Sequence, residues 1–192
     1  SGSHYHETWS AFRNDKAELP DPESLTFIKP GYDKLNFKFP DANGDTISFR
    51  DPQFRNKVVI VTLTGTWCPN CMDETRFLVD FYTQYKQRGV EIIALDYERV
   101  LDSATVQKSI SKLKKQLGVE YPVLFAGTND REIAAKTLPM LNRVLGYPTT
   151  IITDKKGNVR KIHTGFSGPA TGADYVAFKE SFSRFIDKLI AE

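Results

Sequence analysis

Cysteine is scarce in this chain: 192 residues carry two, Cys68 and Cys71. Two cysteines cannot build a disulfide framework, and alone they cannot close a tetrahedral zinc site, which takes four ligands. Histidine adds little, with three in all, His4, His6 and His163. Charge of one sign is not in excess either. Lys and Arg number 26 against 24 Asp and Glu, a formal net charge of +2, which offers no field for nucleic acid or acidic membranes. Lys112, Lys114 and Lys115 read as the solvated face of a helix. No stretch approaches the ~20 apolar residues that cross a bilayer, and no signal peptide is visible. The chain opens Ser-Gly-Ser rather than with Met, which leaves room for a targeting segment or a domain upstream.

What is present suits one elaborated domain. A hydrophobic fraction of 40% and an aromatic fraction of 12% supply a core without staples. Residues 1 to 32 lack a clear period and carry Pro20, Pro22 and Pro30, so they read as a lead-in or linker, with the domain over 33 to 192. NFKFP, the turn DANGD and TISF predict a β-hairpin. VVIVTL (58 to 63) is a strand buried on both faces. The stripe of Phe77, Leu78, Phe81, Tyr82 and Tyr85 predicts a helix that stops at Gly89. EIIALD follows as a strand, then a helix capped by Asp102 or Ser103 and ended by Gly118, the strand YPVLF, and a helix over about 130 to 144 with Pro139 inside it. TTIIT, the turn DKKGN and VRKIHT predict a late hairpin, and 172 to 190 a last helix. The expected fold class is α/β, a mixed sheet flanked by helices on both faces, with an N-terminal β-hairpin.

Both cysteines fall in WCPNC, at the carboxyl end of the first buried strand and the start of a helix. That edge of an α/β sheet favours ligands and chemistry. Unpaired N–H groups of a first helical turn stabilise a thiolate, and this setting lowers a cysteine pKa from ~8.5 towards roughly 3.5–7.5. Residues i and i+3 share a helical face, so Cys71 lies within reach of Cys68. Cys68 can then attack a disulfide and Cys71 can resolve the product. Pro69 suits the first helical position. Half a metal site and an inert staple are the competing readings, although so small a loop gains little from a cross-link.

The run VVIVTLTGTWCPNC, followed by GYPTTIITDKKGNVRKIHTG, resembles the thioredoxin superfamily, and more narrowly the TlpA/ResA-type thiol–disulfide oxidoreductases of the bacterial cell envelope. The resemblance covers roughly residues 33 to 190. It implies a thioredoxin-like fold with a central βα insertion around 102 to 125, a nucleophile at Cys68 and a resolving thiol at Cys71. It implies packing of Trp67 beside them, and a cis-proline at Pro148 that faces the disulfide and shapes a substrate groove with Trp67, Pro69, Asn70 and Tyr147. Proline has no N–H, which leaves the backbone at Tyr147 free to pair with an extended substrate. Glu74 matches an acid that assists proton movement in this subfamily; the plainer reading is that Asp73 and Glu74 favour a positive helix start. The resemblance further implies protein disulfide or dithiol substrates, a membrane thiol reductase as electron donor, a periplasmic or envelope location, and no cofactor or metal.

Two departures stand out. Thioredoxin has a buried aspartate on its active strand where this chain has Thr62, and many relatives have proline where this chain has Thr75. Two rival functions use the same fold. A thiol peroxidase wants threonine three residues before its reactive cysteine, where Gly65 stands. A copper-delivery module uses two cysteines and a later histidine, here His163, but separates its cysteines by three residues rather than two.

Overall fold

The computed structural model describes residues 10–18 and 22–192; the remainder of the lead-in, with His4, His6 and Pro20, lies outside the described residues. Strands β1 (Lys38–Pro40) and β2 (Thr46–Ser48) form the expected antiparallel hairpin. The main sheet holds β3 (Val58–Thr64), β4 (Val90–Glu98), β5 (Val123–Thr128), β6 (Thr149–Thr153) and β7 (Val159–Thr164). Their order is β5-β4-β3-β6-β7. β3, β4 and β5 run parallel, and β6 and β7 return antiparallel.

β3 is the middle strand, paired on both sides, and all seven of its residues are buried. Its alternation feeds two cores. Val58 and Ile60 join Phe77, Phe81, Ile110, Phe182 and Ile186 on the face covered by α1 (Pro69–Tyr85), α2 (Ser103–Leu117) and α4 (Ala173–Ala191). Val59, Val61 and Leu63 join Phe37, Phe54, Ala134 and Leu138 on the other face, under the hairpin and α3 (Arg131–Thr137). Each such aliphatic side chain contributes ~1.5–3 kcal/mol on burial, so the strand that precedes WCPNC is firmly held from both faces.

The helix ends follow local chemistry. Asp102 caps α2 by accepting the Thr105 N–H at 2.9 Å, and α2 closes on Gly118 at φ +69°. α1 gives way at Tyr85 to a 3₁₀ turn that closes on Gly89 at φ +86°. The expected helix over 130 to 144 is shorter: α3 ends at Thr137. Pro139 disfavours helical geometry in the residue before it. Leu138, Met140, Leu141 and Val144 are buried nonetheless, packed from irregular chain. Within the lead-in, Ile28 bridges Leu141, the Phe27 N–H donates to Asn142 Oδ1 at 2.9 Å, and Thr26 is buried.

Candidate active site

β3 ends at Thr64 and the chain turns at Gly65. A Cβ there would lie 2.7 Å from the Tyr97 carbonyl oxygen and closer still to the Trp67 indole nitrogen. Only glycine allows that approach. It lets Trp67 Nε1 donate to the Tyr97 carbonyl at 2.8 Å. Tyr147 meets the indole edge-on at 5.8 Å and the Arg99 guanidinium lies 4.7 Å from it. The Thr66 N–H donates to Glu98 Oε1 at 2.8 Å. The carboxyl end of β4 thus holds the turn that presents the cysteines.

Cys68 is the N-cap of α1, with extended backbone, and Pro69 occupies the first turn. The Cys71 N–H donates to Cys68 Sγ at 3.3 Å. The two sulfurs form a disulfide, with Cα atoms 5.2 Å apart. Cys68 keeps 6% of its surface exposed and Cys71 none. Pro69 and Asn70 are exposed beside it. The Tyr147–Pro148 bond is cis, and the Tyr147 carbonyl oxygen lies 3.8 Å from Cys68 Sγ. Trp67, Cys68, Tyr147 and Pro148, distant in sequence, therefore meet at one edge.

Glu74 does not serve the helix start. It points from α1 onto the sheet and is buried. Thr62 donates to its Oε2 at 2.6 Å and Thr150 to its Oε1 at 2.7 Å. Burial pushes its pKa up to about 7, against the pull of those two hydroxyls. Such a group can take or give a proton near neutral pH. Thr75 leaves α1 unbroken, its hydroxyl donating to the Cys71 carbonyl at 2.8 Å.

A second buried acid escaped the sequence reading. Asp96 pairs with Thr64 across β3 and β4, so both side chains face α1. It is fully buried, and among the described residues neither carboxyl oxygen has a hydrogen-bond partner. Burial, then the charge of Glu98, pushes its pKa up to about 8. The available signal was its place in EIIALD, in phase with Ile92 and Ala94. His163 stands on β7 opposite Thr150, its ring 6.1 Å from Phe178. Among the described residues no three His, Cys, Asp or Glu side chains converge to hold a metal ion.

Residues 29–177 match the Redoxin family model. The chain belongs to the redoxin family. This redoxin is 29% identical over 151 residues to the thiol-disulfide oxidoreductase ResA of Bacillus subtilis (strain 168), a match covering 78% of this chain and 75% of that one. It is 29% identical over 142 residues to ResA of Halalkalibacterium halodurans, covering 73% and 71%. Among solved structures it resembles a thiol:disulfide interchange protein of the thioredoxin family from Chlorobium tepidum TLS, at TM-score 0.62 and 20% identity over 82% of this chain and 95% of that one. The thioredoxin domain of a thiol-disulfide oxidoreductase from Bacteroides vulgatus matches at TM-score 0.58 and 19% identity, over 81% and 99%. The expected thioredoxin-like fold is therefore the observed one. The chain is a thiol–disulfide oxidoreductase of the ResA/TlpA type.

Proposed function

We propose that this redoxin reduces protein disulfides, with Cys68 as nucleophile, Cys71 as resolving thiol and Glu74 as proton acceptor. The observation that carries the reading is the unequal placement of the sulfurs: Cys68 at the helix cap and open edge, Cys71 buried on the side of the acid. In the reduced protein, the Cys68 thiolate attacks one substrate sulfur. The substrate S–S bond breaks, its other sulfur leaves as a thiolate and takes a proton from water. Cys71 then passes its proton to Glu74 and attacks Cys68 Sγ, releasing the second substrate thiolate. Two electrons pass to the substrate, and the Cys68–Cys71 disulfide forms. Trp67, Pro69, Asn70, Tyr147 and Pro148 line the groove that orders an extended substrate segment.

A membrane thiol reductase is the donor that would restore the two thiols, and the cell envelope is the location, both by likeness to the family. The described residues contain no helix long and apolar enough to cross a membrane. The domain is taken as 33 to 192, with residues 25 to 29 of the lead-in seated on it. The roles are tested by trapping. Cys71→Ala should accumulate mixed disulfides with substrates, and Cys68→Ser should abolish reduction. Accumulation in Cys68→Ala instead of Cys71→Ala would reverse the two roles.

A further inference from the structure

The net charge of +2 conceals an uneven spread. At the amino-terminal end of β3, away from Cys68, lies a cavity of about 430 Å³ lined by Lys34, Arg50, Arg55, Lys57, Lys155 and Lys156. Among the described residues no Asp or Glu lines it. Leu35, Phe49, Phe54 and Val59 form its apolar floor. The cations come from separate segments: the approach to β1, the two sides of the 3₁₀ turn at Pro52–Phe54, and the turn between β6 and β7. Asn56 has φ +57°, the one positive value among described non-glycine residues. That left-handed step turns the chain so that Arg55, Asn56 and Lys57 line one cavity.

Three of the six cations are already engaged. Lys57 pairs with Glu91, Lys34 donates to the Lys156 carbonyl at 2.6 Å, and Lys155 donates to the Ile190 carbonyl. The side chains of Arg50, Arg55 and Lys156 have no hydrogen-bond or ion-pair partner among the described residues. Like charges crowded over an apolar floor repel one another, and low-dielectric walls focus their field outward. An anion relieves that repulsion. A single carboxylate brings one charge and two acceptor oxygens. A phosphate monoester brings nearly two charges and three acceptors, and guanidinium forks match its oxygens in pairs.

We propose that this cavity binds a phosphate group of high charge, carried by a soluble ester or by a lipid headgroup. The site is independent of the exchange chemistry. β3 contributes seven residues at ~3.3 Å each, which puts the cavity roughly 20 Å from the disulfide, too far for a ligand to touch sulfur.

The test titrates the full chain with sodium pyrophosphate, followed by calorimetry and amide chemical shifts. Saturable binding with a Kd below about 1 mM is expected, with shifts centred on Arg50, Arg55 and Lys156. Arg50→Glu with Arg55→Glu should weaken it at least tenfold, and the two Arg→Gln changes by an intermediate factor. Lys108→Glu with Lys115→Glu, on the exposed face of α2, alters net charge equally and should change binding less than twofold. Disulfide reduction within twofold of the parent certifies each variant as folded; should the Glu pair misfold, the Gln pair carries the test. Absence of saturation, equal losses in the arginine and α2 pairs, or equally tight binding of a triglutamate peptide would overturn the proposal. Sedimentation with vesicles containing phosphatidic acid, whose headgroup is a phosphate monoester, displaced by pyrophosphate, would assign the phosphate to a membrane. Pyrophosphate binding without vesicle binding would assign it to a soluble ester.

Discussion

Glu74 and Asp96 are buried carboxyls on the same face of the sheet, and the protein treats them in opposite ways. Glu74 receives a hydroxyl on each oxygen, from Thr62 and Thr150. Asp96 receives none, and Glu98 sits two residues along the same strand. Burial raises both pKa values, to about 7 and about 8. At Glu74 the two hydroxyls oppose burial, keeping the charged form within reach of neutral pH. At Asp96 a like charge adds to burial, and the neutral acid is the stable form there. A buried acid becomes a usable proton acceptor when hydrogen bonds temper its burial.

The contrast can be broken in order of expected effect. Both acids bind a proton more tightly in the folded chain than in the unfolded one. Each therefore contributes no penalty below its unfolded pKa and a full one above its folded pKa, so stability falls as pH rises between the two. For Asp96 the window runs from 3.8 to about 8 and the loss is on the order of 5 kcal/mol. Asp96→Asn, whose amide can donate to Glu98, should abolish that loss in urea titrations at pH 4 and pH 9 while leaving the exchange rate within about twofold. A comparable fall in exchange rate would make Asp96 part of the proton path.

Glu74→Gln should remove a smaller loss, on the order of 3 kcal/mol, between pH 4.5 and about 7. Unlike the Asp96 change it should slow resolution of a preformed mixed disulfide about 100-fold and erase the inflection near pH 7. Stopped-flow decay of the mixed disulfide reads both. Thr62→Val or Thr150→Val is the finest cut. Each removes one hydroxyl from the carboxylate, so Glu74 should titrate about one unit higher, visible in its side-chain carboxyl carbon shift against pH.

The difference between the two acids also marks what the sequence discloses. β3, the WCPNC turn and the stops at Gly89 and Gly118 were legible because each rests on local pattern. Glu74 was legible as a candidate acid through the resemblance, but its surroundings were not, since Thr150, its second partner, comes from β6, 76 residues along the chain. Asp96 was hidden in an apolar run, where only its phase with Ile92 and Ala94 marked it. The stretch after α3 misled for another reason. Leu138, Leu141 and Val144 are spaced like a helical stripe, yet Pro139 breaks the backbone while the core still claims the side chains. The six cations of the β3 cavity are scattered from 34 to 156 within a nearly neutral composition, and only the folded chain collects them.

Burial of Cys71 also decides how the centre ages. Peroxide that reaches the pair meets Cys68 first, because of the two residues Cys68 alone has surface to offer. A sulfenic acid formed there stands one helical turn from the Cys71 thiol, which condenses with it to the disulfide and expels water before a second oxidant arrives. Damage is thereby converted into the same oxidised state that turnover produces. In the proposed roles Cys71, buried on the inner side of α1, is a repair reagent stored out of reach of what it repairs.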